Sequence, residues 1–171
     1  MHAELLVLRL IHILSAIMWV GSGLFTTFFL VPALARTPAV MGQVMAGLTR
    51  QRVFRTLEIA AGLAILSGLR LLWIDSTGFS GSYFATGTGN TFAIGGAAAI
   101  IAAVFNFGVA RPAMVRAGAI AATLTASADA AEKARLAQQL DRLRKRGTIA
   151  ALLAVSFGIL AAAAMAVARY V

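Results

Sequence analysis

Two histidines, six methionines and no cysteine set the chemistry available to this 171-residue chain. Without cysteine there are no disulfides, iron–sulfur clusters or thiolate zinc sites. His12 is the more informative histidine. It lies in a run, residues 10 to 35, that contains no Asp, Glu, Lys or Arg. An ionisable group in so apolar a run is costly and is usually there for a function. Ser15, Ala16, Trp19 and Gly23 follow at i+3, i+4, i+7 and i+11, on one helical face with it. A neutral imidazole in that position has two uses. It can ligate a metal, either haem iron or copper. Equally, it can hydrogen-bond to a neighbouring helix.

Charged residues gather at the same depth. Arg9 is one turn above His12, and Arg70 lies one turn from the end of a second apolar run. Glu4, Asp75 and Arg169 are near that level. Guanidinium groups pair bidentately with carboxylates, so Arg9 and Arg70 would suit the carboxylates of a haem. They would also suit snorkelling to lipid headgroups, or pairing with Glu4 and Asp75. The candidate cofactor-binding set is therefore His12, Arg9, Arg70 and Trp19, with His12 as the metal ligand. His2 does not supply a second ligand. Ten residues turn a straight helix by about 1000° and advance it by roughly 15 Å. Met18 and Met165 are the thioether candidates, though each is also an ordinary core filler. No catalytic triad, paired carboxylate or HExxH motif is present, and no residue is assigned a catalytic role.

The elements that must position these side chains follow from composition. Hydrophobic residues make up 60% and charged residues 12%, against about 45–50% and about 25% in soluble domains. That is too little charge to cover a soluble surface. A bilayer-spanning helix needs about 20 apolar residues, and four stretches supply them. They are residues 5–31, closing at Pro32, then 55–74, 91–110 and 147–169. Ala33-Leu34-Ala35 looks like a cleavage site, but the start carries Glu4 and no basic residue before Arg9. The first stretch is read as a retained span. Strands are excluded, because an open sheet edge in lipid leaves backbone groups unpaired. The predicted fold class is all-α. It is an integral membrane bundle of four transmembrane helices forming a single domain over residues 1–171. A cytoplasmic helical hairpin, about 112–146, extends between the third and fourth helices.

Within that extension, Arg111-Pro112 marks a kink or a restart. Ser127 and Asp129 are N-cap candidates, with Glu132 in the first turn. Leu136, Leu140 and Leu143 form one apolar stripe, and Asp141 pairs with Lys145 at i, i+4. The middle loop, Asp75 to Asn90, is Gly- and Ser-rich and reads as turns rather than helix. Trp73, Phe79, Tyr83 and Phe84 suit a membrane interface.

The net charge of +9 is unevenly placed. Arg36, Arg50, Arg52 and Arg55 flank the first loop. Arg111, Arg116, Lys133, Arg135, Arg142, Arg144, Lys145 and Arg146 occupy the third. The middle loop has no basic residue. The positive-inside rule then puts loops 32–54 and 111–146 in the cytoplasm. Both termini fall on the periplasmic side of a bacterial-type inner membrane. Basic loops without interleaved aromatics argue against nucleic acid. The partners expected are the lipid bilayer and, for the Gly/Ala-rich faces and basic hairpin, other membrane subunits or a second copy.

The stretch Leu8-Arg9-Leu-Ile-His12-Ile-Leu-Ser-Ala-Ile-Met-Trp19-Val-Gly21, followed by Phe28-Phe29-Leu30-Val31-Pro32, carries a resemblance. Over residues 5–35 it resembles the CopD-like copper-resistance membrane proteins and the HemJ-type protoporphyrinogen oxidases. The resemblance implies a small four-helix membrane protein. His12 matches the haem-ligand histidine of the HemJ type. A lysine that those enzymes use in a later span has no counterpart in the spans here, where Lys133 and Lys145 fall in the third loop. The leading expectation is thus b-type haem held near the outer side by His12, in a redox or electron-transfer role. The alternative is a non-catalytic accessory or structural subunit of a larger membrane complex. The second alternative is CopD-like copper handling.

Overall fold

The structure, a computed structural model, describes residues 2–171, and all of its regular elements among them are helical. In chain order these are α1 (His2–Phe25), a π-helical segment (Thr26–Leu30), α2 (Val31–Ala35), α3 (Pro38–Arg50) and α4 (Val53–Asp75). They are followed by α5 (Gly81–Phe84), α6 (Gly87–Ala103), a second π segment (Val104–Ala110), α7 (Arg111–Ala126) and α8 (Ala130–Val167). A 3-10 turn, Ala168–Tyr170, ends the chain. Four stretches are long and apolar enough to cross a membrane: Ala3–Ala35, Val53–Asp75, Gly87–Ala126 and Ala130–Tyr170. The shortest has 23 residues, or about 35 Å at 1.5 Å each, against a hydrocarbon core of about 30 Å.

Burial points the same way. The buried residues of α4 are small: Ala60, Ala61, Ala64 and Ser67. Large apolar side chains face outward, with Leu6, Leu14 and Ile17 each 65% exposed and Leu66 67%. A soluble protein hides such residues. In lipid, small residues between helices and large ones toward the acyl chains are the stable arrangement. The chain is built as a multi-pass membrane protein.

Both π segments precede a proline. Thr26–Leu30 leads into Pro32, and Val104–Ala110 leads into Pro112. A proline inside an α-helix removes one hydrogen bond and collides with the carbonyl four residues back. Widening the preceding turns relieves that collision. Pro32 therefore does not close the first helix, as the sequence suggested. The helix continues to Ala35. Arg111-Pro112 is likewise neither a sharp break nor a fresh start, because helical structure is continuous from Gly87 to Ala126.

The chain forms two compact units, Met1–Ile100 with Phe157–Val171, and Ile101–Ser156. In the first, α1 packs along α4. The pairing is antiparallel, since Glu4 near the start of α1 meets Arg70 near the end of α4. Gly95 of α6 lies against Ala164 and Met165, where an added Cβ would stand 3.2 and 3.3 Å from their side chains. In the second unit, α7 folds back on the first part of α8. Gly147 faces Ala113 and Met114, and Ala113, Ala117, Leu136 and Leu140 are buried. Of the two N-cap candidates read from sequence, Asp129 is the one that caps, while Ser127 bonds to a side chain. The Asp129 carboxylate accepts from the Ala131 N–H at 3.0 Å, Ser127 donates to Glu132 at 2.6 Å, and Lys145 pairs with Asp141 at 2.9 Å.

Two loops carry more helix than the sequence suggested. Residues Pro38–Arg50 form α3 in what reads as a basic loop. The middle loop contains the short α5, and α6 starts at Gly87, four residues before the expected 91. Thr86 causes the early start, its hydroxyl accepting from the Gly89 N–H at 3.0 Å as an N-cap does. Between α4 and α5, Thr77, Gly78 and Phe79 have φ of 53°, 83° and 64°. The buried Ser76 holds this turn by accepting from the Phe79 N–H at 2.8 Å. Trp73, Phe79, Phe84 and Tyr83 follow one another as ring contacts, with centroids 5.1, 6.4 and 5.6 Å apart.

Gly89→Ala is expected to lower thermal stability in detergent by about 2–3 kcal/mol, because its Cβ would enter the Tyr83 backbone. Gly96→Ala, with open space at that position, serves as the neutral comparison. Burial, and after it the negative charge of Asp75, hold the Tyr83 phenol above its ordinary pKa. Below the ordinary value the folded and unfolded chains bind this proton alike. As pH rises from there, unfolding releases it and stability falls. Asp75→Asn is expected to move the Tyr83 ionisation to lower pH in an ultraviolet absorbance titration.

Candidate functional site

His12 sits nearly three turns into α1, half-buried against α4. Its Nδ1 is 2.7 Å from the Ala64 carbonyl oxygen, and the Ser67 hydroxyl is 3.4 Å from the same nitrogen. A carbonyl only accepts, so Nδ1 carries the hydrogen. In the neutral ring Nε2 is then a bare lone pair. It points at Met165 Sδ of α8, 3.4 Å away. A thioether is also an acceptor, so two lone-pair donors face each other with no hydrogen between them. At 3.4 Å the two atoms are in contact, and both have a lone pair that a soft metal ion could share.

The helices around the ring are shaped for this placement. Ala64, Ser67 and Gly68 lie at successive positions on one face of α4. A Cβ at Gly68 would stand 2.7 Å from His12 Cε1 and 3.0 Å from Nδ1. The missing side chain is therefore the space the imidazole occupies. Ser67 turns its own hydroxyl back to donate to the Leu63 and Ala64 carbonyls.

The other residues read from sequence are placed differently. Arg70 is engaged by Glu4, with Nη2 at 2.8 Å and Nε at 3.2 Å from one carboxylate oxygen. Of the three uses considered for this guanidinium, the structure shows the pairing with Glu4. Arg9 is exposed on α1 and makes no hydrogen bond or ion pair among the described residues. Trp19 is buried at 8% exposure, two turns below His12 on the same face. The His2 side chain lies outside the described residues. Met18 is 43% exposed, which leaves Met165 as the thioether that reaches His12.

Haem can be tested against this geometry. Axial nitrogen and sulfur on opposite faces of one iron stand about 4.3 Å apart, the sum of metal–nitrogen and metal–sulfur bonds of about 2.0 and 2.3 Å. Here the separation is 3.4 Å, and Gly68 lies against the ring edge. A haem with both atoms as axial ligands would need them further apart than this. A smaller ion would be held by His12 Nε2 and Met165 Sδ. No group of three or more His, Asp or Glu capable of holding a metal occurs among the described residues. The donors at His12 Nε2 are the imidazole nitrogen itself and the Met165 sulfur, a set that suits a soft cation.

Comparison with family models, with curated proteins and with solved structures gives no match. The site therefore rests on its own geometry.

Sequence reasoning found His12 and Met165 but missed what joins them. Ala64 acts through its backbone, which no side-chain pattern reports. Gly68 reads as one of many packing glycines. The available signal was spacing, since Ala64, Ser67 and Gly68 stand at i, i+3 and i+4 in the second span. Gly68→Ala is expected to destabilise the protein by about 1–3 kcal/mol through forced displacement of the imidazole. In a His12→Ala background that cost should vanish, a coupling that a double-mutant cycle of thermal unfolding reads directly. Gly62→Ala, with nothing within 4 Å, should show no such coupling.

Proposed function

We propose that this protein is a four-span membrane protein that handles a soft monovalent cation, copper(I), through the His12–Met165 pair. One observation carries the reading. With Nδ1–H given to the Ala64 carbonyl, the Nε2 lone pair and the Met165 thioether converge at 3.4 Å. A backbone carbonyl that fixes the tautomer and orients the ring is the support a ligating histidine needs. Imidazole nitrogen and thioether sulfur are ligands that copper(I) prefers to harder ions. Two protein ligands leave coordination positions open. Such a site suits passing an ion on rather than retaining it. The resemblance of residues 5–35 to CopD-like proteins supports the same reading. Haem held by His12, with Arg9, Arg70 and Trp19 around it, is the less favoured reading because of the separation and the Glu4–Arg70 pair.

The orientation belongs to this proposal. Twelve of the fifteen lysines and arginines fall in the segments after the first and third spans, leaving Arg9, Arg70 and Arg169 at the other end. By the positive-inside rule the α3 and α7–α8 ends face the cytoplasm of a bacterial-type inner membrane. His12 is then in the outer half of the bilayer.

The test is copper(I) competition against a chromophoric chelator, under reducing anaerobic conditions, on detergent-purified protein. The expected result is about one copper(I) per chain, with affinity reduced about tenfold or more in His12→Ala and in Met165→Leu. No uptake, or uptake indifferent to both substitutions, contradicts the proposal. A Soret band in the purified protein that disappears in His12→Ala would overturn it in favour of haem.

A further inference from the structure

The end of the first unit that carries Glu4 holds a cleft of about 400 Å³ that the copper reading does not use. Glu4 and Arg70 form one wall, Leu5, Trp73 and Ile74 another, and the turn at Thr77 and Gly78 the rim. The ion pair in this wall is lopsided. Arg70 Nε and Nη2 both donate to a single oxygen, Glu4 Oε1, at 3.2 and 2.8 Å. Among the described residues Glu4 Oε2 and Arg70 Nη1 have no hydrogen-bond partner. One acceptor on an anion and three N–H donors on a cation therefore remain unused in residues that line the same cleft. The two side chains are 50% and 46% exposed, so an incoming group can reach them.

The rim is an independent sign. Thr77, Gly78 and Phe79 are three successive residues at positive φ, and two of them carry a Cβ. Such conformations are costly for L-residues and cluster where the backbone serves a ligand. Gly78 lines the cleft on the Trp73 indole, where an added Cβ would stand 3.7 Å from the ring. Trp73 is itself half-exposed beside Phe79, as aromatic residues at the headgroup level of a bilayer are.

We propose that this cleft binds the headgroup of a phospholipid bearing both a phosphate and a primary ammonium, of the phosphatidylethanolamine type. The phosphate takes the unused Arg70 donors, and the ammonium donates to Glu4 Oε2. Leu5 and Ile74 in the cleft, with Leu6 and Leu69 exposed beside them, meet the acyl chains. An anionic lipid without an amine would set its phosphate near Glu4 with nothing to answer the carboxylate. A trimethylammonium headgroup has no N–H to donate. The site depends on the chain lying in a bilayer and is independent of whether His12 holds copper.

Native mass spectrometry of the full chain tests it, after exposure to an equimolar mixture of ethanolamine, glycerol and choline phospholipids with identical acyl chains. The expected result is retention of the ethanolamine lipid about three- to fivefold over the other two, the scale of one exposed charge-assisted contact. Glu4→Gln keeps a polar side chain but removes the charge, and should lose that preference with total lipid retained. The exchange Glu4→Arg with Arg70→Glu keeps an ion pair in reversed polarity, and should lose the preference as well. Equal retention of the three lipids overturns the proposal, as does a preference that survives Glu4→Gln. Free phosphoethanolamine competing as strongly as the intact lipid would overturn it in favour of a soluble ligand.

Discussion

The hydrogen bond from His12 Nδ1 to the Ala64 carbonyl, 2.7 Å long, is the contact on which the first unit is organised. In hydrocarbon an unpaired imidazole N–H has no water to turn to, and leaving it unmet costs several kcal/mol. The bond therefore fixes how α1 lies along α4 as well as where one side chain points. It requires the imidazole to sit where a Cβ would be, which makes residue 68 a glycine. It selects the tautomer, and that choice aims the Nε2 lone pair across to α8. Met165 meets it at 3.4 Å. Packing, protonation and ligand geometry thus come from one constraint.

The polar residues of this unit divide into two places with different chemistry. At the crossing, an imidazole nitrogen and a sulfur converge at 3.4 Å, the pair on which the proposed copper(I) site rests. Nearer the end, a carboxylate and a guanidinium meet side-on beside an indole and a strained turn. This second place is wide and charged, which favours a zwitterionic group. Arg70 was open to either use from sequence. In the structure it pairs with Glu4 at the second.

Much of the fold was legible in the sequence because a bilayer imposes simple rules. Residues 10 to 35 without a charge announce a spanning helix, and Asp129, Glu132 and the Leu136–Leu140–Leu143 stripe announce a hairpin. The prolines misled for a physical reason. Pro32 and Pro112 end helices in water-exposed settings, but here the preceding turns widen into π geometry and the helices run on. Thr86 was hidden in a Gly-rich stretch whose composition reads as loop, although its hydroxyl starts α6. At the site, His12 was legible because a titratable residue in an apolar run stands out. Its partners were not, because a backbone carbonyl and an absent Cβ leave no signature in residue type. The pairing of Glu4 with Arg70 spans 66 positions, and only the antiparallel packing of α1 on α4 reveals it.

The most direct measurement is nitrogen NMR of histidine-labelled protein at neutral pH, with His2→Gln to leave His12 as the one reporter. The account expects Nδ1 to carry the proton and Nε2 to show a bare, pyridine-type signal that shifts when copper(I) is added. A proton on Nε2 in the apo protein, with Nδ1 bare, or a signal unmoved by copper(I), would contradict it.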